Sequence, residues 1–363
     1  MEIRRLVRGE EEQAIQLADE IFRDSEQKSM GSGFPSIFSS HLIHQSYGAF
    51  DNQQLVSFLG LVPSTVRIGR SSVNVYSLGS VCTGPDYRGK GIAGEILEGI
   101  MKDLKSTDAS LLLVSGNRSL YTRVGCHPFG KVSRFTIKGS KAANNPNLVI
   151  REMETTDIHA MVRLAEQREV AYEQSVQELS LLLQAEAYAS CIKRSHRVLV
   201  AEEDGQLKGF LIVGVPYDQE KQDGLAIEWA GEAKIVAELA RQALVHFGLK
   251  SMNIKVSWHE QALSQELDPY DSVEERNLGT VYIVDPAKLV AQLSPYLSDA
   301  YNVQKIEAES EENGNIRLTI NDESKVLAYN EFVAKLFDPE SDPTDAKDNV
   351  TIPFPYTAGL NYI

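Results

Sequence analysis

The chain has 363 residues and a formal net charge of −15, from 36 basic and 51 acidic residues. This acidic balance argues against a nucleic-acid-binding surface. It either attracts cationic partners such as amines or simply favours solubility. Because 42% of the residues are hydrophobic, the chain can bury substantial cores, and its length predicts two or three domains.

Three cysteines, Cys82, Cys126 and Cys191, cannot all pair with one another, and none forms a C-x-x-C motif or a His–Cys spacing typical of zinc. We therefore expect a reduced, cytoplasmic protein without a metal ion. Residues 1–7 lack the apolar run of a signal peptide, and no segment has the character of a membrane span, so we expect no membrane partner.

The predicted elements of the N-terminal part alternate between strands and helices. In chain order they are a strand (1–7), an amphipathic helix (10–22), a loop (29–40), a hairpin (47–63), a strand (75–83), a glycine-rich turn (84–94), a helix (95–104) and a buried strand (111–114).

The glycine-rich turn is the most informative of these elements. It places four glycines and the cations Arg88 and Lys90 between a strand and a helix. Such a turn directs several backbone N–H groups at one point in front of the positive end of a helix, which predicts a phosphorylated cofactor. A capped helix behind an ordinary glycine turn would explain only the first glycine.

Residues 89–94 fit the G-x-G-x-x-G dinucleotide fingerprint, but the surroundings do not support it. Pro85, Asp86, Tyr87 and Arg88 come between the strand and these glycines, and the nearest acid, Asp108, precedes the next strand instead of following it. The fingerprint needs a glycine directly after the strand and an acid about 20 residues later. A nicotinamide or flavin cofactor is therefore disfavoured.

The stretch from Arg88 to Ala93 resembles the R/Q-x-x-G-x-G/A turn of the GNAT (Gcn5-related) N-acetyltransferases. This resemblance implies that acetyl-CoA is the cosubstrate, with its pyrophosphate on the amides of the turn and its pantetheine arm along the free edge of the preceding strand. The residues implied to bind it are Val81, Cys82, Thr83, Arg88, Gly89, Lys90, Gly91, Ile92, Ala93 and Asn117.

The stretch from Asn117 to Phe129 resembles a second family segment, in which a helix begins beside the cofactor. The resemblance implies that Tyr121 is the general acid that protonates the leaving thiolate. A phenol can donate a proton and stays neutral at pH 7. The alternative for Tyr121 is a half-buried side chain between helix and sheet. By the same resemblance Phe34 and Phe38 are candidates for the acceptor pocket, and ordinary packing is the alternative.

A second copy of the strand and helix order follows a polar linker at 138–147, because residues 148–153 echo residues 1–6. The phosphate turn is missing from this copy. In its place, residues 228–234 are acidic and contain one glycine, which would oppose a pyrophosphate. We therefore expect a degenerate, structural domain. Its further elements are a hairpin (197–212), a strand (225–228), a helix (233–246) and a strand (252–258).

A third part begins near residue 278, and its sequence predicts a strand, a helix (287–297), a hairpin (316–329), a short helix (332–336), an exposed loop (338–348) and an apolar tail (351–363). The three-part order resembles the Eis-like acetyltransferases. It implies an α/β protein with mixed α+β sheets: an active GNAT domain (1–145), a degenerate GNAT-like domain (146–276) and a small α+β domain similar to sterol carrier proteins (277–363). It also implies a homo-oligomer.

In Eis-like members the C-terminal carboxylate enters the active site as the base, a role that would fall to Ile363, where they often have an aromatic residue. The alternative is a tail packed on its own domain. We predict direct transfer of an acetyl group from acetyl-CoA to a primary amine of a small molecule or peptide, without a covalent intermediate. Cys82 lacks a visible activating neighbour. The alternative function is a non-catalytic regulatory protein that binds acyl-CoA.

Overall fold

The structure is a computed structural model that describes residues 1–139, 147–218, 220–321, 323–339 and 350–363. These residues form two compact units. The first unit contains Met1–Gly130, Leu278–Ile352 and Ile363, and the second contains Lys131–Asn277 and Pro353–Tyr362. The division into three domains stays a prediction. Most of the predicted linker (140–146), most of the predicted loop (340–348) and part of the hairpin turn at 321–322 lie outside the described residues.

Residues 1–130 contain the predicted strands and the predicted long helices. The strands are β1 (Glu2–Arg5), β2 (Tyr47–Asp51), β3 (Gln54–Ile68), β4 (Ser71–Thr83) and β5 (Leu111–Val114); the helices are α1 (Glu11–Phe22), α2 (Met30–Gly33), α3 (Pro35–Phe38), α4 (Ile92–Leu104) and α5 (Ser119–Thr122). The predicted loop at 29–40 was wrong in part, because α2 and α3 form there. Ser29 caps α2 with its side chain, and Pro35 opens α3.

Residues 131–277 form the strands and helices of the second unit. The strands are β6 (Lys131–Lys138), β7 (Leu148–Glu152), β8 (Val170–Tyr172), β9 (Arg194–Glu203), β10 (Gln206–Pro216), β11 (Asp223–Gly231), β12 (Ser251–Ser257) and β13 (Asp271–Arg276); the helices are α6 (Ile158–Glu166), α7 (Val176–Ala185), α8 (Ala187–Cys191), α9 (Ala233–His246) and α10 (Gln261–Leu267).

Residues 278–352 return to the first unit. Their elements are β14 (Thr280–Ile283), α11 (Pro286–Tyr301), β15 (Ile306–Ser310), β16 (Ile316–Ile320), β17 (Glu323–Leu327) and α12 (Tyr329–Phe337). The Asp285 side chain caps α11 by accepting the Lys288 N–H at 3.1 Å, and Pro286 fits the first helical position. Strands β15, β16 and β17 form a small antiparallel sheet.

The main sheet of the first unit follows the order β1-β2-β3-β4-β5-β14. Only β4 and β5 are parallel; β14 pairs antiparallel with β5, from Thr280 opposite Val114 to Ile283 opposite Leu111. Helix α4 packs on this sheet through an apolar stripe whose members, Ile96, Leu97, Ile100 and Leu104, are almost completely buried. The stripe has the i, i+4 spacing that its sequence predicts.

The sheet of the second unit follows the order β13-β6-β12-β11-β10-β9-β7. Read from β7, it repeats the first sheet: antiparallel neighbours, then one parallel step between β11 and β12, then an antiparallel strand. This repetition confirms the prediction of tandem folds. Strand β6 lies within the predicted domain 1–145, yet it pairs with β12 and β13 in the second sheet.

Across residues 1–139, 147–218, 220–321, 323–339 and 350–363, no helix combines the length and the hydrophobicity needed to cross a bilayer.

Candidate active site

The predicted phosphate turn joins the end of β4 to the start of α4. Gly89 and Gly91 both have left-handed backbones, with φ of +75° and +80°, and Gly91 is the N-cap of α4 without a side-chain capping bond. A Cβ atom on either glycine would meet nothing within 4 Å, so the turn faces open space. The first amides of this 13-residue helix have no acceptor within the helix itself, as an anion site requires.

The two cations of the turn are exposed beside it. Arg88 donates from Nε to the Thr83 carbonyl at 3.1 Å, which folds the guanidinium back over the end of β4. The Lys90 ammonium lies 4.9 Å from the centre of the Tyr87 ring. Ile92 is buried and Ala93 is half-buried, and both side chains pack in the apolar core beneath α4. Only their backbone is therefore available to the turn.

Strand β4 carries a bulge close to this turn. Phe58 of β3 faces Cys82, but Gly60 faces Gly79, so Ser80 and Val81 together oppose one residue of β3. A bulge of this kind bends the strand locally. Pairing with β5 ends at Leu78, whereas β4 continues to Thr83. Among the described residues, β4 therefore has no strand partner on this side beyond Leu78. Binding of the pantetheine arm by Val81, Cys82 and Thr83 stays a prediction.

Tyr121 lies on the short helix α5 and is 7% exposed. Its ring packs against the backbone of Gly116, where an added Cβ would be 3.0 Å from Cε2. Burial raises the pKa of Tyr121 to about 12, although the nearby Arg118 charge works in the opposite direction. The phenol is therefore protonated throughout the neutral range. Asn117 is exposed and precedes α5, which begins at Ser119 with Arg118 as its N-cap.

The C-terminal residue lies against β4. Ile363 is 8% exposed and belongs to the first unit. A Cβ atom added to Gly79 would come well under 3.0 Å from the carboxyl carbon and a carboxyl oxygen of Ile363, and 2.7 Å from its Cγ2. The structure thus brings the chain terminus directly beside the bulge, two residues before Val81. The role of Ile363 as base stays a prediction.

The two aromatic candidates for the acceptor pocket are core residues. Phe34 and Phe38 are 4% and 3% exposed. Phe38 stacks on Phe58 with ring centres 5.4 Å apart, and the Arg23 guanidinium lies 5.6 Å from the Phe34 ring centre. These contacts agree with ordinary packing, and a role toward the acceptor stays a prediction.

One notable residue of this region was not predicted. Ser80, in the bulge, has a left-handed backbone with φ of +52°, which is unusual for a residue other than glycine. Its Oγ is buried and has no hydrogen-bond partner among the described residues. Backbone strain of this kind clusters at functional sites. No local signal in the sequence predicts this conformation, because it depends on the register between β3 and β4.

The second unit has a charged cluster at the corresponding strand. Strand β11 also shifts its register against β10, and Glu228 directly follows the shift. Arg168 pairs with Glu228 on one side and with Glu260 on the other, at 2.7 Å. Burial raises the pKa of Glu228, against the opposing effect of Arg168. The predicted acidic character of this region is therefore reflected in a half-buried carboxylate that pairs with Arg168.

Two of the three cysteines, Cys82 and Cys126, are buried. Burial raises the pKa of both Cys82 and Cys126 to about 12, whereas Cys191 is exposed. Within the part of the chain that the structure describes, no group of three or more His, Cys, Asp or Glu side chains is arranged to hold a metal ion. The thiols of Cys82 and Cys126 are therefore poor nucleophiles at neutral pH.

Comparison with known proteins identifies the N-terminal part. Residues 2–129 match the family model described as "Acetyltransferase (GNAT) domain". No curated protein is similar enough to this chain to be matched.

Solved structures match over most of the chain. A GCN5-related N-acetyltransferase from Anabaena variabilis has a TM-score of 0.67 at 12% identity, covering 97% of this chain and 99% of that one. Another from Kribbella flavida has a TM-score of 0.60 at 11% identity, with coverages of 90% and 83%. Eis1 from Mycobacterium abscessus has a TM-score of 0.59 at 13% identity, with coverages of 90% and 84%. At these identities the likeness is one of fold.

Proposed function

Since residues 2–129 form a GNAT acetyltransferase domain, which makes the protein an acyltransferase, we propose that it moves an acetyl group from acetyl-CoA to a primary amine in a ternary complex. The acceptor is a small-molecule or peptide amine. The observation that carries the proposal is the position of the terminal carboxyl at Gly79, on the same strand whose end forms the phosphate turn. The proposed base and the proposed diphosphate site thus both lie against β4.

Binding of the diphosphate is supported by the geometry of the turn. Gly89 and Gly91 have left-handed backbones, the helix that follows begins with amides that have no intrahelical acceptor, and Arg88 and Lys90 supply two positive charges beside them. Ionised donors make the stronger hydrogen bonds to phosphate oxygens. The acyl-CoA would supply the activated thioester, and this part of the chain would hold its diphosphate.

The chemistry needs two proton transfers around one acyl transfer. A bond forms between the amine nitrogen and the acetyl carbon, and the bond from that carbon to sulfur breaks. The Ile363 carboxylate accepts the proton that the amine loses, and Tyr121 donates a proton to the leaving thiolate. With a pKa of about 12, Tyr121 is protonated at neutral pH and therefore has a proton to donate. Backbone N–H groups at the bulge would polarise the thioester carbonyl.

The test of cofactor binding is calorimetric titration with CoA. In the double variant Arg88→Glu/Lys90→Glu, we expect the dissociation constant to rise by about 100-fold, since charged hydrogen bonds contribute about 1.5–3 kcal/mol each. The matched control is Lys102→Glu/Lys105→Glu, which makes the same charge change at the opposite end of α4. Equal affinities for both double variants would refute a diphosphate site at the turn.

Thiol release from acetyl-CoA over a panel of amines then separates the two functions. Turnover on at least one amine that falls sharply in Tyr121→Phe supports the transferase. Tight CoA binding without turnover on any amine would instead support the regulatory protein. Because Tyr121 is buried, the melting temperature of Tyr121→Phe must be measured alongside its activity.

A further inference from the structure

Strand β11 of the second unit is the counterpart of β4 in the first unit. In β4 the parallel pairs with β5 end at Leu78, and the bulge begins two residues later at Ser80. In β11 the parallel pairs with β12 end at Leu225, and two residues later, at Ile227, the register against β10 shifts. Both strands continue past the bulge, and in the part of the chain that the structure describes no other strand pairs with that edge. The fold thus opens the same gap beside each strand.

The gap beside β11 is filled by the segment Pro353–Tyr362, which belongs to the second unit. A Cβ atom on Gly359 would lie 3.4 Å from the Ile227 carbonyl oxygen and 2.5 Å from Oε2 of Glu228. The Leu360 N–H donates to the Glu228 carboxylate, and the Leu360 side chain is 2% exposed in the same apolar cluster as Ile227. The segment therefore passes directly along the bulge of β11.

Further contacts hold the first half of the segment. The Lys255 ammonium of β12 lies 5.4 Å from the centre of the Tyr356 ring. Asn277 follows β13 and is 5% exposed; its Nδ2 donates to the Pro355 carbonyl at 3.0 Å. Its Oδ1 accepts the Thr357 N–H at 2.9 Å and the Thr357 hydroxyl at 2.8 Å. Both strands that border the gap, β11 and β12, thus contact the segment.

The residues around this gap suit a peptide and not a diphosphate. The N-cap of α9, which follows β11, is Glu232, and a carboxylate at the start of a helix repels an anion. Carboxylates and side-chain amides instead form hydrogen bonds with the N–H and C=O groups of a peptide, as Glu228 and Asn277 do here. Arg168 fixes the Glu228 carboxylate, and it also pairs with Glu260 at 2.7 Å.

We propose that the gap beside β11 is a peptide-binding site, which takes the segment Pro353–Tyr362 of the same chain where the first unit would take acyl-CoA. This inference rests on the proposed function for the comparison with acyl-CoA, but not for the binding of the peptide. A second acyl-CoA would need the gap that the segment fills. The chain should therefore bind one CoA and not two.

The first experiment offers the segment as a separate molecule. The probe is a fluorescein-labelled peptide of residues 353–362 with both ends blocked. The protein is the full chain with Gly359→Val and Leu360→Asp, the opened variant, which places bulk and a negative charge against Glu228. By anisotropy we expect the peptide to bind the opened variant at least tenfold more tightly than the wild type, where the tethered segment competes at a roughly millimolar effective concentration.

The same peptide should raise the melting temperature of the opened variant by about 4 °C at a tenfold excess over its dissociation constant. Gly359→Ala, which adds only one methyl group, replaces the opened variant where circular dichroism shows the latter to be unfolded. A folded variant that does not bind the peptide, or equal binding to the variant and the wild type, would overturn the proposal.

The second experiment locates the site. Within the opened variant, Glu228→Gln should weaken peptide binding about tenfold, because hydrogen bonds to a charged acceptor are stronger than those to a neutral one. Glu274→Gln, at an exposed position of β13, is the matched control and should leave the affinity unchanged. Equal affinities for the two variants would overturn the assignment of the site to the gap beside β11.

The third experiment needs only calorimetry with CoA and separates this inference from the proposed function. We expect one CoA per wild-type chain, with an affinity that depends on Arg88 and Lys90. A second CoA that still binds to Arg88→Glu/Lys90→Glu would place a cofactor in the second unit and overturn the proposal. Absence of any CoA binding would refute the proposed function, whereas the peptide titrations would still decide whether the gap binds the segment.

Discussion

Replacing Gly79 with alanine adds one methyl group at the point where the chain terminus meets β4. The added Cβ would lie 2.7 Å from Cγ2 of Ile363, whereas ordinary contacts begin at 3.4 Å. Ile363 must therefore retreat by about 0.7 Å at this atom, and its carboxyl group must move further because it lies closer still. The backbone of Gly79 has no positive φ, so alanine itself fits the strand conformation.

We expect Gly79→Ala to lower kcat by about 100-fold, the loss that a catalytic group displaced by about 1 Å can cause, or about 2.7 kcal/mol in the activation barrier. The assay is thiol release from acetyl-CoA with a saturating amine, together with KM for acetyl-CoA. Gly99→Ala is the matched control, since Gly99 lies inside α4 with nothing within 4 Å of an added Cβ. It should keep full activity.

Either of two results would refute a catalytic role for the terminal carboxylate at Gly79. One is wild-type kcat in Gly79→Ala, which would mean that the terminal carboxylate is not needed at this position. The other is a kcat for the combination of Gly79→Ala with deletion of Ile363 that is lower than the kcat of either single change. If both changes remove the same catalytic group, their effects on kcat should not add.

Three further predictions concern residues of the first domain and the thiols. Tyr121→Phe should lower kcat by about 100-fold or more and leave CoA affinity by calorimetry unchanged, since only a proton donor is lost; equal kcat would exclude Tyr121 as the acid. Gly91→Val should weaken CoA binding about tenfold, because valine disfavours a φ of +80° and the turn must change shape. Unchanged affinity would contradict a role of the Gly91 backbone in binding the diphosphate. Iodoacetamide at pH 8 should label Cys191 rapidly in the native protein but Cys82 and Cys126 only after unfolding, because burial raises the pKa of both buried thiols to about 12. The labelled sites can be identified by mass spectrometry. Labelling of all three cysteines in the native protein would refute this prediction.

Local features of the site were predictable from the sequence. Gly89 and Gly91 adopt backbone conformations that other residues avoid, and the spacing of the apolar residues in α4 determines which face of the helix is buried. The turn and its helix could therefore be predicted from a local stretch of sequence. The fold of the second unit was also predictable, because its strands repeat the pattern of the first.

Features that depend on distant pairing were not predictable. The strand from Thr280 to Ile283 was expected from its composition, but nothing in it indicates that its partner is β5. The same holds for the left-handed backbone of Ser80, which results from the register against β3, and for the bonds between Asn277 and Thr357. Each of these needs knowledge of which remote segment lies alongside.

Strand β14 is synthesised long after its partner β5, which affects folding during translation. Synthesis proceeds from the N-terminus, so Leu111–Val114, buried at all four positions, has been made long before Thr280–Ile283 can cover its edge. An uncovered apolar edge invites pairing with other nascent chains. A fragment that stops near residue 145 would keep this edge permanently open, so the catalytic domain and the distal segment must be produced together.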